Sequence, residues 1–325
     1  MTSARRAAAS AATAVIAAAA ARAAYQALTR NPPGGATQWS RTNHRGEPVT
    51  LLEGPAVAAA GAAAAVLAPG VPVRTRVALA AAAAGAGAFG GYDDIAGSGA
   101  KRGFRGHLGA LAHGEITTGS VKLGGIGATG LAAAAFTGGP AVDVAVNAAL
   151  VAGSANLLNL FDLRPGRAIK VTLAAGLPIG LTQLARKNGC RGRGTVATVA
   201  VPLGAAAALL PDDLGERAML GDAGANALGA MVGAAAAGSL SRRSRLGLLA
   251  GVIALTAASE VVSFTKVIQR TPPLHWLDML GRRPAHAAGP AGVSGRTAVP
   301  AQAGSFDGNG DADRDHSSLA APHAP

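Results

Sequence analysis

The sequence predicts an all-α protein: a polytopic membrane helix bundle of about nine to ten transmembrane helices. Three observations predict it. Hydrophobic residues make up 50% of the 325 positions and charged residues only 14%, whereas a soluble domain is about a quarter charged. The apolar residues gather into stretches of about 20, the length a helix needs to cross a hydrocarbon core of about 30 Å. The charges stand between those stretches. The same facts exclude other classes. The apolar fraction is too high for a chain disordered throughout, Cys190 has no second cysteine to pair with, and the 46 glycines follow no period of three. A net charge of +12 would suit a nucleic-acid binder, but its bases are interleaved with apolar spans, which argues for no nucleic acid.

The expected spans are 7–28, 51–69, 75–92, 119–137, 141–160, 167–185, 194–211, 223–240 and 245–265. Most are Ala/Gly-rich, so each inserts weakly alone, while its small side chains let neighbouring helices approach closely. Pro178 and Pro202 fall inside spans and predict kinks or breaks. The first stretch follows Arg5 and Arg6 and also fits a cleaved signal peptide; its length and Tyr25 at an interfacial position favour an uncleaved helix. The membrane domain is expected over 1–283. Residues 284–325, where Pro, Ala, Gly, Asp and His follow one another without apolar periodicity, are expected to form a disordered tail. Asp307, Asp311, Asp313 and Asp315 lack the closing Glu of a calcium loop.

Alternating spans sort the loops into two sets. One set holds 29–50, 93–118, 161–166, 211–222 and 266–283, and with the flanking helix ends it carries twelve of the 17 acids; the other, counted the same way, carries Asp143 alone. Basic residues favour the first set only slightly, which places it in the cytoplasm. Loops that merely carry the polar residues would not leave one set without acids. This face is the expected active-site face.

Its motifs follow in order. Asp93-Asp94 ends the third span; adjacent carboxylates at a helix end call for a cation, and a magnesium ion on a substrate diphosphate would serve. Lys101 and Arg105 lie in the next loop and suit a phosphate-bearing substrate, or anionic lipid headgroups. Asn156, Asn159 and Asp162 end the fifth span at i, i+3 and i+6, roughly on one face; polar groups stacked in an apolar helix favour a functional role over interhelical hydrogen bonding and a C-terminal cap. Gly221-Asp222-Ala223-Gly224 opens the eighth span, its Asp in a first-turn position and its glycines permitting close approach to a ligand or metal. His275 sits in a short amphipathic stretch with Leu274, Leu277 and Leu280, beside an interfacial Trp276.

Taken in this order, the motifs of about residues 35–283 resemble the polyprenyl-phosphate N-acetylhexosamine-1-phosphate transferases (glycosyltransferase family four, MraY/WecA-like). Arg41-Thr42-Asn43-His44-Arg45-Gly46 looks like that family's first cytoplasmic loop, Asp93-Asp94 its acidic pair, Asn156-x-x-Asn159-x-x-Asp162 the front of its Asn/Asp stretch, Gly221-Asp222-x-Gly224 its signature, and Pro273-Leu274-His275 the start of its histidine motif. The resemblance implies a plasma-membrane enzyme moving a HexNAc-1-phosphate from a UDP-linked amino sugar to polyprenyl phosphate, with UMP released, in cell-envelope synthesis. It implies Asp93, Asp94 and Asp162 as catalytic residues. It implies Mg2+ on Asp222 and Asp94, and substrate contacts from Asn43, Lys101, Arg105, Asn156, Asn159 and His275. A homodimer is compatible with it. The chain departs from the family at Pro165, where an acid is usual, at Ala225, where Ser or Thr is usual, and in a histidine cluster reduced to His275. These departures motivate an alternative: a catalytically impaired member that binds prenyl-phosphate lipid or a partner and regulates envelope synthesis. A small transporter is disfavoured, because polar groups sit at span ends and the two halves share no motif.

Overall fold

The computed structural model describes residues 3–97, 109, 113–185 and 196–284. Met1–Arg283 forms one unit, and nearly all of Pro284–Pro325, including the expected tail, lies outside the described residues. The long helices are α1 (Ser3–Arg30), α3 (Glu53–Leu67), α4 (Val73–Ala96), α5 (Thr118–Thr137), α6 (Ala141–Phe161), α7 (Arg167–Ala185), α8 (Val196–Leu214), α9 (Gly221–Ser239) and α10 (Arg242–Ser259). Each coincides with one apolar stretch of the sequence to within a few residues. Short elements fill the connections: α2 (Ala36–Trp39), the hairpin β1 (Ser40–Thr42) and β2 (Pro48–Thr50), α11 (Phe264–Arg270) and α12 (Pro272–Met279).

Helix existence and membrane crossing separate here. Among the described residues three helices are long and apolar enough to cross a bilayer: Ala4–Arg30, Ala141–Phe161 and Val196–Leu214. A fourth counts if α10 and α11, bent by 95° at their junction, form one broken span. The nine expected stretches are therefore all helical among the described residues, and three or four of these helices have the length and hydropathy of a span. The reason is compositional. Ala and Gly carry little hydropathy, α3 has only 15 residues, and α4, α5 and α7 bring charges into their end turns. Pro178 and Pro202, expected to kink or break their helices, do not break them: both lie inside continuous α7 and α8.

Helix α9 is the centre of the bundle. It packs on α4 and α6, with α3 and α8 beside it. An Ala/Gly sequence with no polar face leaves nearly every residue from Gly221 to Ala237 buried, as expected of a helix enclosed on all sides. Small residues set the spacing. A Cβ on Gly224 would lie 2.8 Å from Gly54 Cα, and one on Gly54 would lie 2.7 Å from Gly224 N. A Cβ on Gly233 would lie 2.8 Å from Val151 Cα of α6. Around this centre α1 packs on α8 and α3, with Ala17 and Ala21 fully buried. Helix α10 rests on α6 alone among its major contacts and keeps one buried side chain, Val252.

The ends of the bundle differ in chemistry. At one end Asp143, in the first turn of α6, lies 3.3 Å from both Arg242 and Arg245 at the start of α10. The other end carries the hairpin, in antiparallel register Ser40–Thr50, Arg41–Val49 and Thr42–Pro48. Asn43 closes its turn, with Oδ1 accepting from the backbone N–H groups of Arg45 and Glu47, both at 2.9 Å. Thr50 bridges to Ala218 in the connection before α9, so the hairpin is fixed to the signature loop. Trp39, Leu51 and Leu52 form a small core beneath it.

Candidate active site

Three helix ends meet beside that hairpin. The capping box of Thr117 and Ser120 starts α5 and places Lys122 just over one turn in. Asp93 and Asp94 occupy the last turns of α4, and Asp222 the first turn of α9. Gly90 lets α4 reach the Asp222 backbone, because a Cβ there would strike the Asp222 carbonyl. Both oxygens of Asp94 accept backbone N–H groups, from Asp222 at 2.9 Å and Ala223 at 2.8 Å. These are orphan donors of a helix N-terminus, where the positive end of the dipole favours a carboxylate. Lys122 Nζ lies 3.0 Å from Asp93 Oδ2 and also pairs with Asp222 Oδ2. One lysine thus holds together two acids that would otherwise repel.

Gly221, at φ +58°, opens α9 close enough to Asp162 for its backbone N–H to favour the charged carboxylate. Asp162 follows the last turn of α6 and faces a cavity of about 280 Å³ with Thr42, His44, Arg164, Pro165, Asp213 and Glu216. Enclosure in this wall pushes the Asp162 carboxyl well above the usual range, and the neighbouring charges of Asp213, Asp222 and Asp94 add to it. Burial also lowers His44, against the opposing pull of Glu216. Glu216 stands at φ 55°, a rare conformation for a residue with a side chain. It is held by Asn43 Nδ2 at 2.9 Å and by Arg45 Nε at 2.9 and 3.0 Å.

The expected site residues therefore divide. Asp93, Asp94, Asp162 and Asp222 come together around the N-terminus of α9. Asn43 lines the same cavity, but its amide is committed to the hairpin turn, to Glu47 and to Glu216. Asn156 is not beside Asp162; it lines a separate apolar groove of about 700 Å³ between α5, α6 and α10. The expectation of a shared face fails on helix geometry: six residues end about 120° round the helix from where they began, which is a different face. Asn159, between them, is half-buried. His275 is exposed on α12. That helix docks on α7 through Asp278, which takes Arg167 Nε at 2.7 Å and Nη2 at 3.1 Å. Lys101 and Arg105 lie outside the described residues. The glycines flanking Asp222, expected to admit a ligand, serve helix packing.

Four residues escaped the sequence reading. Lys122 is the only charge in the stretch 119–137, and that isolation was a usable signal. Asp213 and Glu216 precede the Gly-Asp signature by a few positions and were counted only as loop acids. Glu53 opens α3 fully buried, with neither carboxylate oxygen hydrogen-bonded among the described atoms; nothing in the sequence distinguishes it from a solvated helix-start acid.

The donor set answers the question of magnesium in a limited way. Among the described residues no three His, Cys, Asp or Glu side chains stand together as ligands of one ion. Asp93 and Asp222 converge on one cation position, now held by Lys122, and Asp94 is turned to the backbone. This fits an ion held by two carboxylates and completed by phosphate oxygens and water, not a cage built by protein alone. Compared with models of known families and with curated proteins, the chain matches none.

Proposed function

We propose that this protein is a multi-pass membrane enzyme of the cell envelope that transfers a HexNAc-1-phosphate from a UDP-linked amino sugar to polyprenyl phosphate. The observation that carries the reading is the convergence of Asp93, Lys122, Asp94, Asp222 and Asp162 at the N-terminus of α9. An oxygen of the lipid phosphate attacks the sugar-linked phosphorus. The new P–O bond forms as the bond to the UMP phosphate breaks, and UMP leaves with that oxygen. Lys122 places a positive charge where phosphate charge develops, a contribution that typically decides rates by about 100- to 1,000-fold. Asp93 orients that ammonium, and Asp94 holds the start of α9 against α4 so that Asp222 stays in register. Asp162 faces the incoming nucleotide sugar from the adjoining cavity. Asp222 and Asp93 would hold Mg2+, which would supply charge neutralisation of the diphosphate.

The apolar grooves beside α10 suit a prenyl chain. One of about 560 Å³ is lined by Leu157, Phe161, Val171, Leu248 and Val252 among others, and the groove of about 700 Å³ lies on the other flank. The nine long helices among the described residues are read as spans, the sparsely apolar ones stabilised by burial against their neighbours.

A second reading has its own observation. Lys122 already neutralises both carboxylates, and Pro165 stands where an acid is usual. A descendant that binds lipid phosphate without turnover would look like this. Purified protein in lipid nanodiscs, given polyprenyl phosphate, Mg2+ and UDP-HexNAc labelled in the sugar, separates the two. Label entering the organic phase supports the transferase. Saturable lipid-phosphate binding with no transfer from any donor supports the second reading.

A further inference from the structure

We infer that α11 and α12 form an arm that docks on the membrane surface and takes acidic phospholipid headgroups there. Its direction is set at its root. Helix α10 starts beside Asp143, at the start of α6, and the chain turns by 95° before α11 where α6 ends, with Phe264 stacked on Phe161 at 4.7 Å. An arm set nearly square to a helix that runs along the bundle lies close to the membrane plane, at the level where α10 leaves it. The bundle grips only one side of this arm. Arg167 Nη1 donates to Thr265 Oγ1 at 3.0 Å and the same guanidinium holds Asp278. Trp276 stands two residues before Asp278, about 160° away round the helix, and is 66% exposed. Val261, at 86%, and Leu274, Leu277 and Leu280 are exposed with it.

Charge decides what covers these side chains. Lys266 and Arg270 are exposed on α11, and neither side chain has a partner among the described residues. Asp278 is the only acid between 261 and 283, and Arg167 and Arg282 already neutralise it. Glu260 stands before the bend, at the end of α10. The free charge of the arm is therefore positive. Exposed apolar residues with a tryptophan and unpaired cations fit the boundary where acyl chains meet anionic headgroups, to which each base adds about a fivefold preference. The far end of the arm reaches the candidate site. Arg282 Nε donates to the Pro165 carbonyl at 3.1 Å, and Arg45 Nη2 donates to the Arg283 carbonyl at 2.9 Å. The lipid contact is thus continuous with the α6–α7 turn and the hairpin. This docking is independent of the reaction proposed above.

The test uses Trp276 as its own reporter, since the other tryptophan, Trp39, is buried beneath the hairpin. The full chain is placed in phosphatidylcholine nanodiscs containing a minority of brominated phosphatidylglycerol, or the same amount of brominated phosphatidylcholine, and tryptophan quenching is measured. Trp276→Phe gives the background from Trp39. Native protein is expected to show Trp276 quenched by both lipids, with a relative association for phosphatidylglycerol about fivefold or more above phosphatidylcholine. That preference is expected to vanish in the double variant Lys266→Gln with Arg270→Gln, while quenching by phosphatidylcholine persists. As a check that needs no variant, it is also expected to vanish for native protein in about 1 M salt, where charges act over only about 3 Å. Equal quenching of native protein by the two lipids overturns the inference, leaving apolar contact without headgroup recognition. A preference unchanged by both the double variant and salt overturns it as well. So does a Trp276 that neither lipid quenches; shielding confined to discs holding two copies would then assign the face to a second copy of the chain.

Discussion

Lys122 is the residue on which the proposed chemistry turns. It sits between Asp93 and Asp222, its side chain 11% exposed. Lys122→Met removes the charge while keeping the length. The expected outcome is a fall of about 100-fold or more in transfer, read as initial rate, together with a lower melting temperature, because two carboxylates are left facing each other. Lys122→Arg keeps the charge but has a wider, planar head, so it is expected to restore stability more than rate. Much of the site was legible at this scale. The Asp93-Asp94 pair and the Gly221-Asp222 signature declared themselves by adjacency, and the structure does bring them together. Lys122 was not recognised, because its partners lie 29 and 100 positions away and a single lysine near a helix start has ordinary uses. Asp213 was hidden for a related reason: whether a loop acid is solvated or buried depends on what packs over it, here the hairpin and the α6–α7 turn.

At the scale of elements, close packing and docking ion pairs hold the site. Gly224 touches α3 so tightly that Gly224→Leu is expected to cost several kcal/mol through backbone displacement, visible as a lower detergent melting temperature. Gly127, where an added Cβ meets nothing within 4 Å, serves as the control. Helix α12 is held by Asp278 and Arg167, whose side chains are 5% and 4% exposed. Burial alone would raise the Asp278 carboxyl, but the Arg167 hydrogen bonds and the charges of Arg167, Arg282 and Lys170 hold it below the usual range. A carboxylate lowered on folding stabilises above its unfolded pKa of about 4, and that stabilisation is lost as pH falls through the lower folded value. Melting temperature is therefore expected to drop below about pH 4 in native protein, and to drop less in Asp278→Asn, which has already lost the pair. Cutting one partner of so buried a pair is expected to cost about 3–5 kcal/mol. The helices themselves were plain in the sequence, since runs of about 20 apolar residues leave little alternative. The hairpin was not, because its residues carry no clear alternation and its register depends on Asn43 closing the turn and on Thr50 reaching Ala218.

For the whole molecule, the polarity of the bundle follows from its two ends: Asp143 with Arg242 and Arg245 at one, the acid cluster and hairpin at the other. In a background of Cys190→Ser, Ser40→Cys and Arg243→Cys are expected to label from opposite sides of sealed vesicles, the first from the cytoplasmic side. Labelling of both from one side would remove the bundle orientation on which the cytoplasmic site depends. Among the described residues three helices, or four if the bent pair is one span, are long and apolar enough to cross a membrane, and the Ala- and Gly-rich surfaces of the others are covered largely by their neighbours. The most direct test of the central claim is UMP release by the purified protein in nanodiscs, with polyprenyl phosphate, Mg2+ and a panel of UDP-HexNAc donors. The account predicts UMP release that requires the lipid phosphate and falls at least about 100-fold in Asp222→Asn. Folded protein that releases no UMP from any donor, or an Asp222→Asn variant as fast as native, would contradict it.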